Sequence, residues 1–165
     1  SLGVRLALGT DATSADGFRT LFAADALQRV VNDLPFDDFA GIAAERWLGI
    51  ATAGGADVAG LGEITGRLAK GFEADLLVLR TDRPELIPSW DPPSELVRLA
   101  SPAIVQEVYV AGECVLRGGQ PTRWDGESLL ASVDRLAVQT LERARPVKFT
   151  RVARRVSWES RRRPQ

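Results

Sequence analysis

The chain has 165 residues, of which 45% are hydrophobic and 26% charged, and its formal net charge is −1. That balance belongs to an ordinary globular protein with apolar material for a sizeable core, and it excludes wholesale disorder. The near-zero charge gives no reason to expect nucleic acid or acidic lipid as a partner. No stretch approaches the roughly 18 apolar residues of a membrane helix.

In chain order, residues 4–8 form a short apolar run between Gly3 and Gly9, the pattern of a buried strand. Gly9-Thr10-Asp11 follows at once, then a small polar loop over 12–17. Phe18, Leu21, Phe22, Leu27 and Val30 fall mostly at helical spacing and predict an amphipathic helix over 18–31. Pro35 ends that region. Asp37 or Asp38 is placed to cap a second helix, with Phe39, Ile42, Ala43, Trp47, Ile50 and Ala51 on one face. Gly54-Gly55 is expected to interrupt it, leaving one more helical turn that ends near Gly60 and Gly62. Beyond that point the character turns to β. Leu76-Leu77-Val78-Leu79 signals a buried strand, and Pro84, Pro88, Pro92 and Pro93 impose a loop over 83–93. Ser94 can cap a short helix reaching Leu99. Residues 104–110, the turn Ala111-Gly112 and residues 113–116 read as a hairpin, closed by Gly118-Gly119 and Pro121. Leu129, Leu130, Val133, Leu136, Ala137, Thr140 and Leu141 predict a last amphipathic helix. From Arg143 onward the tail is rich in arginine with a single acid, Glu159, and is expected to be a solvated terminus.

An aspartate that closes a buried strand and is followed by a loop and a helix stands where α/β proteins build their sites. Asp11 fits that description, and small Gly9 and Thr10 leave room for a ligand beside it. A turn or capping aspartate fits the local sequence equally well. Histidine is absent throughout, which removes the commonest metal ligand and the commonest general base near neutral pH. Any imidazole in an active site must then come from outside this chain. The single cysteine, Cys114, rules out an internal disulfide and agrees with a reducing, cytoplasmic setting. Methionine is also absent, so Ser1 is expected to be a processing or truncation point.

Several short blocks stand in order over roughly residues 3–120, and none repeats within the chain. They are Gly3-Val4 through Gly9-Thr10-Asp11, Ala51-Thr52-Ala53-Gly54-Gly55-Ala56 with Gly60-Leu61-Gly62, and Ile64-Thr65-Gly66-Arg67-Leu68-Ala69-Lys70-Gly71. Ala74-Asp75-Leu76-Leu77-Val78, Asp91-Pro92-Pro93-Ser94 with Leu96-Val97, and Val108-Tyr109-Val110-Ala111-Gly112 complete the series. This series resembles the amidohydrolase superfamily, in the branch of cytosine and guanine deaminases and chlorotriazine hydrolases. The resemblance implies an α/β plus β fold: the last strand and helices of an incomplete (β/α)8 TIM-like barrel, followed by the C-terminal part of a small β-sandwich. On that plan residues 1–61 end the barrel, 62–121 belong to the composite sandwich, and 122–165 are a helix and basic tail. A complete barrel takes about 250 residues.

The resemblance also implies a divalent metal, zinc first and iron second, with its histidine ligands outside this chain. Asp11 would be both a metal ligand and the catalytic proton carrier, and Thr13 and Ser14 would be substrate-binding residues at the mouth. The implied reaction is hydrolysis of a carbon–nitrogen bond other than a peptide bond, in a heteroaromatic or nucleobase-like amine, with the isolated chain inactive. Its partners would be a small-molecule substrate and the remainder of the barrel, with a homo-oligomer left open. A non-catalytic structural or regulatory subunit remains an alternative, as does a half-barrel completed by a second polypeptide. Among the other residues, Trp47 is expected in the core, Trp90 at a packing junction and Cys114 as a small strand hydrophobe. Arg19 is expected to be a solvated charge and Asp75 a turn residue. Residues 4–8, left uncovered, would be an aggregation hazard.

Overall fold

Asp16 starts the first helix because its carboxylate accepts the Arg19 N–H at 3.1 Å, satisfying an amide that has no partner inside the helix. Helix α1 (Gly17–Gln28) runs on into a π-helical turn over Arg29–Asp33. This computed structural model describes residues 3–11, 14–33 and 43–143. The expected caps Asp37 and Asp38, the face residues Phe39 and Ile42, and the arginine-rich tail lie outside the described residues. The chain divides into two compact units, Ser1–Trp124 and Asp125–Gln165.

In the first unit, helix α2 (Ala44–Gly49) continues through a π turn (Ile50–Gly54) into α3 (Gly55–Val58). Gly54-Gly55 therefore does not interrupt the helix, against expectation. Gly54 is needed for another reason: a Cβ placed there would lie 2.9 Å from the backbone oxygen of Leu6. The helix packs its bare backbone against the segment that leads to Asp11. The rod ends at Gly60, in the left-handed region with φ +76°.

Residues 4–8 form no strand, which corrects the first expectation. A strand needs a neighbour to complete its ladder of N–H and C=O groups, and no described segment pairs with this one. Val4 and Leu6 are 70% and 58% exposed. Only Leu8 turns inward, against a core of Leu21, Ala44, Trp47 and Val97. That cluster joins α1, α2 and helix α4 (Pro92–Arg98). Trp47 is core as expected. The cap of α4 is Asp91 rather than Ser94: its carboxylate accepts the Ser94 N–H, and Pro92 and Pro93 fill the first helical positions. Glu95 reaches back to the N–H groups of Trp90 and Asp91 at 2.8 and 3.0 Å. Trp90 is 86% exposed and packs no junction among the described residues, because its backbone, not its ring, is what the cap holds.

The sheet is antiparallel in the order β1-β2-β3-β4, with β1 Leu76–Leu79, β2 Val105–Val110, β3 Glu113–Arg117 and β4 Gln120–Pro121. Leu77 faces Val108 and Val108 faces Leu116. The predicted hairpin is thus present. Strand β1 sits at the sheet edge with Leu77 and Val78 exposed, not buried as its composition suggested. Residues 64–71, counted with the sandwich strands, form turns instead. Thr65 donates to Asp75 at 2.6 Å and Arg67 to the carbonyl of Gly62 at 2.8 Å, so side chains hold this stretch in place of a ladder.

In the second unit, Asp125 accepts the N–H groups of Glu127 and Ser128 and opens helix α5 (Gly126–Arg143). This is the predicted last helix, and none of its residues is buried. No helix among the described residues is long and apolar enough to cross a membrane.

Candidate functional site around Asp11

Asp11 lies six residues before the start of α1, with its backbone in the left-handed region at φ +47°. That conformation is costly for residues with a side chain, and aspartate is among the few that tolerate it. Such departures cluster at sites where the surrounding structure fixes them. Here two contacts hold the approach from behind. Leu6 is pressed on Gly54, and the Arg5 guanidinium donates to the Asp57 carbonyl at 3.2 Å. Asp57 is itself paired with Arg67 at 3.2 Å. The Asp11 side chain is exposed.

In front, Ser14 is half-buried and its Oγ accepts the Asp16 N–H at 3.2 Å, so backbone satisfies part of its capacity. Thr13 lies outside the described residues. Thr10, Ser14, Arg19, Thr20 and Ala23 line an open depression of about 350 Å³, and Asp11 is not among its lining residues. The structure therefore gathers Thr10 and Ser14 on one wall with Thr20, while Arg19 at its edge is exposed, the solvated charge that the sequence suggests. The Thr20 hydroxyl donates to the Asp16 carbonyl at 3.1 Å and fixes that wall.

A buried acid escaped sequence reasoning. Asp25 is 3% exposed, and its Oδ2 accepts from Arg29 Nε at 3.1 Å and from Arg98 Nε at 3.0 Å. These bonds tie α1 to α4 across 73 residues of sequence. The available signal was its place one turn after Leu21, an acid on the apolar stripe. Asp75, as expected, is structural. It accepts from the Thr65 hydroxyl and, at 2.7 Å, from the N–H of Ala111. Those bonds, the hydroxyl first, hold its carboxyl below the usual carboxylate range. Ala111 and Gly112 both have positive φ, 49° and 80°, the turn that suits a tight hairpin. Cys114 is half-buried on β3, its thiol donating to the Leu116 carbonyl.

A zinc centre takes three or four protein donors. Among the described residues no three His, Cys, Asp or Glu side chains converge, and the sequence holds no histidine. Asp11 offers one oxygen donor. The described residues do not by themselves form a metal site.

The chain matches the Amidohydrolase family over residues 1–115. It is 34% identical over 144 residues to a 5-methylthioadenosine/S-adenosylhomocysteine deaminase of Desulforudis audaxviator, a match covering 85% of this chain and 33% of that protein. A 5′-deoxyadenosine deaminase of Methanothermobacter thermautotrophicus is 35% identical over 122 residues, 72% of this chain and 27% of that one. The structure superposes on a zinc-bound adenosine deaminase from Xanthomonas campestris with TM-score 0.68 and 28% identity, over 79% of this chain and 28% of that chain. It matches the fold of a zinc-complexed atrazine chlorohydrolase from Arthrobacter aurescens with TM-score 0.64 and 24% identity, over 72% and 26%. The chain spans about a third of the length of the first curated relatives it matches.

Proposed function

The chain belongs to the amidohydrolase family, and from that membership we propose that it is the C-terminal part of a hydrolytic deaminase acting on adenosine-type nucleosides. The observation that carries this is the match at 34% identity to a deaminase of that class, across 85% of the chain. In this proposal residues 1–61 close a barrel, residues 62–121 belong to a composite β-sandwich, and residues 122–165 are an appended helix and tail. Methylthioadenosine, S-adenosylhomocysteine and 5′-deoxyadenosine are the candidate substrates, following the relatives' names.

Asp11 is the catalytic residue this chain supplies. Its left-handed backbone turns the chain sharply at the end of the extended segment, and its carboxylate is open to solvent and ligand. In deamination, water adds to the carbon bearing the amino group and ammonia leaves. A carboxylate at that point takes a proton from the attacking water and returns it to the departing nitrogen, which is general acid–base work. The adenosine deaminase on which the chain superposes was solved with bound zinc. Any metal here would need donors from outside this chain, and the isolated chain is proposed to be inactive.

The test is ammonia release from methylthioadenosine by the complete enzyme, with Asp11→Asn as the variant. Loss of about 100-fold or more in kcat, with unchanged circular dichroism and melting temperature, is expected from the loss of proton transfer. Near-normal turnover in the variant would remove Asp11 from the mechanism.

A further inference from the structure

We propose that helix α5 and residues 144–163 together form a surface that docks on an anionic lipid membrane. This docking goes beyond the deaminase reading and does not depend on it.

The formal net charge of −1 is the sum of two opposite parts. Residues 1–142 hold 12 Lys and Arg against 21 Asp and Glu, a net −9, whereas residues 143–165 hold nine against the single acid Glu159, a net +8. A block of like charge this dense repels itself and seeks an acidic partner. The apolar residues set among the basic ones are regularly spaced. Phe149, Val152, Ala153 and Val156 stand at i, i+3, i+4 and i+7, and Lys148, Arg151, Arg155 and Arg162 at i, i+3, i+7 and i+14. A helix formed on a surface would carry these two sets on separate faces. Helix α5 (Gly126–Arg143) leads directly into this block and has an apolar face of its own. Leu130, Val133, Ala137 and Leu141 share that face at i, i+3, i+7 and i+11 and none is buried; Leu130 and Leu141 are each 70% exposed. Basic side chains beside an uncovered apolar face are what an interfacial segment brings to anionic lipid: charge attracts it, and apolar burial among the headgroups holds it. A nucleic-acid strand would answer the charge but leave the leucines in water. The family match ends at residue 115, so this surface lies outside it.

The experiment is flotation of the complete protein with vesicles of phosphatidylcholine alone, or of equal parts phosphatidylcholine and phosphatidylserine, at low and high salt. Capture by the phosphatidylserine vesicles, little by phosphatidylcholine alone, and weakening in high salt are expected. Arg154→Gln, Arg155→Gln, Arg161→Gln, Arg162→Gln and Arg163→Gln combined should lower partitioning about a hundredfold or more, since each basic residue at the surface contributes about fivefold. Two variants that leave the charge unchanged, Phe149→Ser with Val156→Ser and Leu130→Gln with Leu141→Gln, should each lower it about tenfold or more through lost apolar burial. Capture is read without turnover, so its outcome is separate from that of the deaminase reading. No capture at low salt, or capture unchanged in any of the three variants, would overturn the membrane surface. So would displacement of the protein from the vesicles by a single-stranded oligonucleotide at equal charge, which would assign the basic block to nucleic acid instead.

Discussion

The link between α1 and α4 lends itself to a double-mutant cycle on Asp25 and Arg98. The Asp25 side chain is 4% exposed and holds Arg98 Nε at 3.0 Å, while the Arg98 side chain is 34% exposed. A charge-assisted hydrogen bond contributes roughly 1.5–3 kcal/mol. The guanidinium is a third exposed and returns to water when its partner is removed, so solvent screening trims the coupling to about 1–2 kcal/mol. The other carboxylate oxygen, Oδ1, is buried without a hydrogen-bond partner among the described residues, so Asp25 already carries an uncompensated desolvation cost. Asp25→Asn should therefore destabilise, whereas Asp25→Leu combined with Arg98→Met should come within about 1 kcal/mol of the wild type, since apolar pairs replace buried ion pairs at little cost. Trp47 fluorescence reports the transition, because Trp47 lies in the cluster that contains Val97 while Trp90 and Trp124 are exposed. At a urea m-value of about 1.5 kcal/mol per molar, the coupling appears as a midpoint shift of roughly 1 M. A coupling within about 0.3–0.5 kcal/mol of zero, the ordinary limit of additivity, would refute the reasoning.

Two adjacent glycines should respond oppositely to alanine. Gly55→Ala gains about 0.5–1 kcal/mol of helix stability, because its nearest neighbour, the Ile50 oxygen, lies at 3.8 Å. Gly54→Ala should lose stability, as its Cβ meets the Leu6 oxygen at 2.9 Å; a gain at both positions in thermal melts would contradict the packing described. The Asp75 contact to Ala111 should be acid-labile. Its folded pKa is lowered, so its contribution is present above the unfolded value of about 3.9 and is lost as pH falls through the lower folded value. The Ala111 amide resonance should thus titrate below about 3.9 and stop titrating in Asp75→Asn; a midpoint at or above 3.9 would contradict the hydrogen bond. Asp91→Ala should lower the urea midpoint through loss of the N-cap of α4, while Ser94→Ala should leave it near that of the wild type.

The features legible in the sequence are those set by neighbours in the chain. The period of Leu21 and its flanking residues marks α1, and the alternating run about Ala111-Gly112 marks the hairpin. The cap of α4 was also within reach, since Pro92-Pro93 takes the first helical positions and leaves Asp91 to cap them. Other features depend on contacts across long stretches of chain. Gly54 looks like a helix breaker until the Leu6 carbonyl, 48 residues earlier, is placed against it. Asp25 looks like a surface acid until Arg98 arrives from α4. Residues 4–8 have the composition of a strand, but composition cannot supply the second strand that a ladder requires. At the candidate site, the sequence offers Asp11 by its place after the apolar run and Ser14 only through the family resemblance, whereas the positive φ of Asp11 belongs to the folded backbone.

The central claim is that this chain supplies one carboxylate to a deaminase whose remaining machinery lies outside it. Ammonia release from methylthioadenosine, measured for the 165-residue chain alone and for the complete enzyme at equal concentration with zinc present, tests it most directly. Turnover by the complete enzyme and none by the chain alone is the predicted result. Steady turnover by the chain alone, or none by the complete enzyme on any of the three candidate nucleosides, would contradict it.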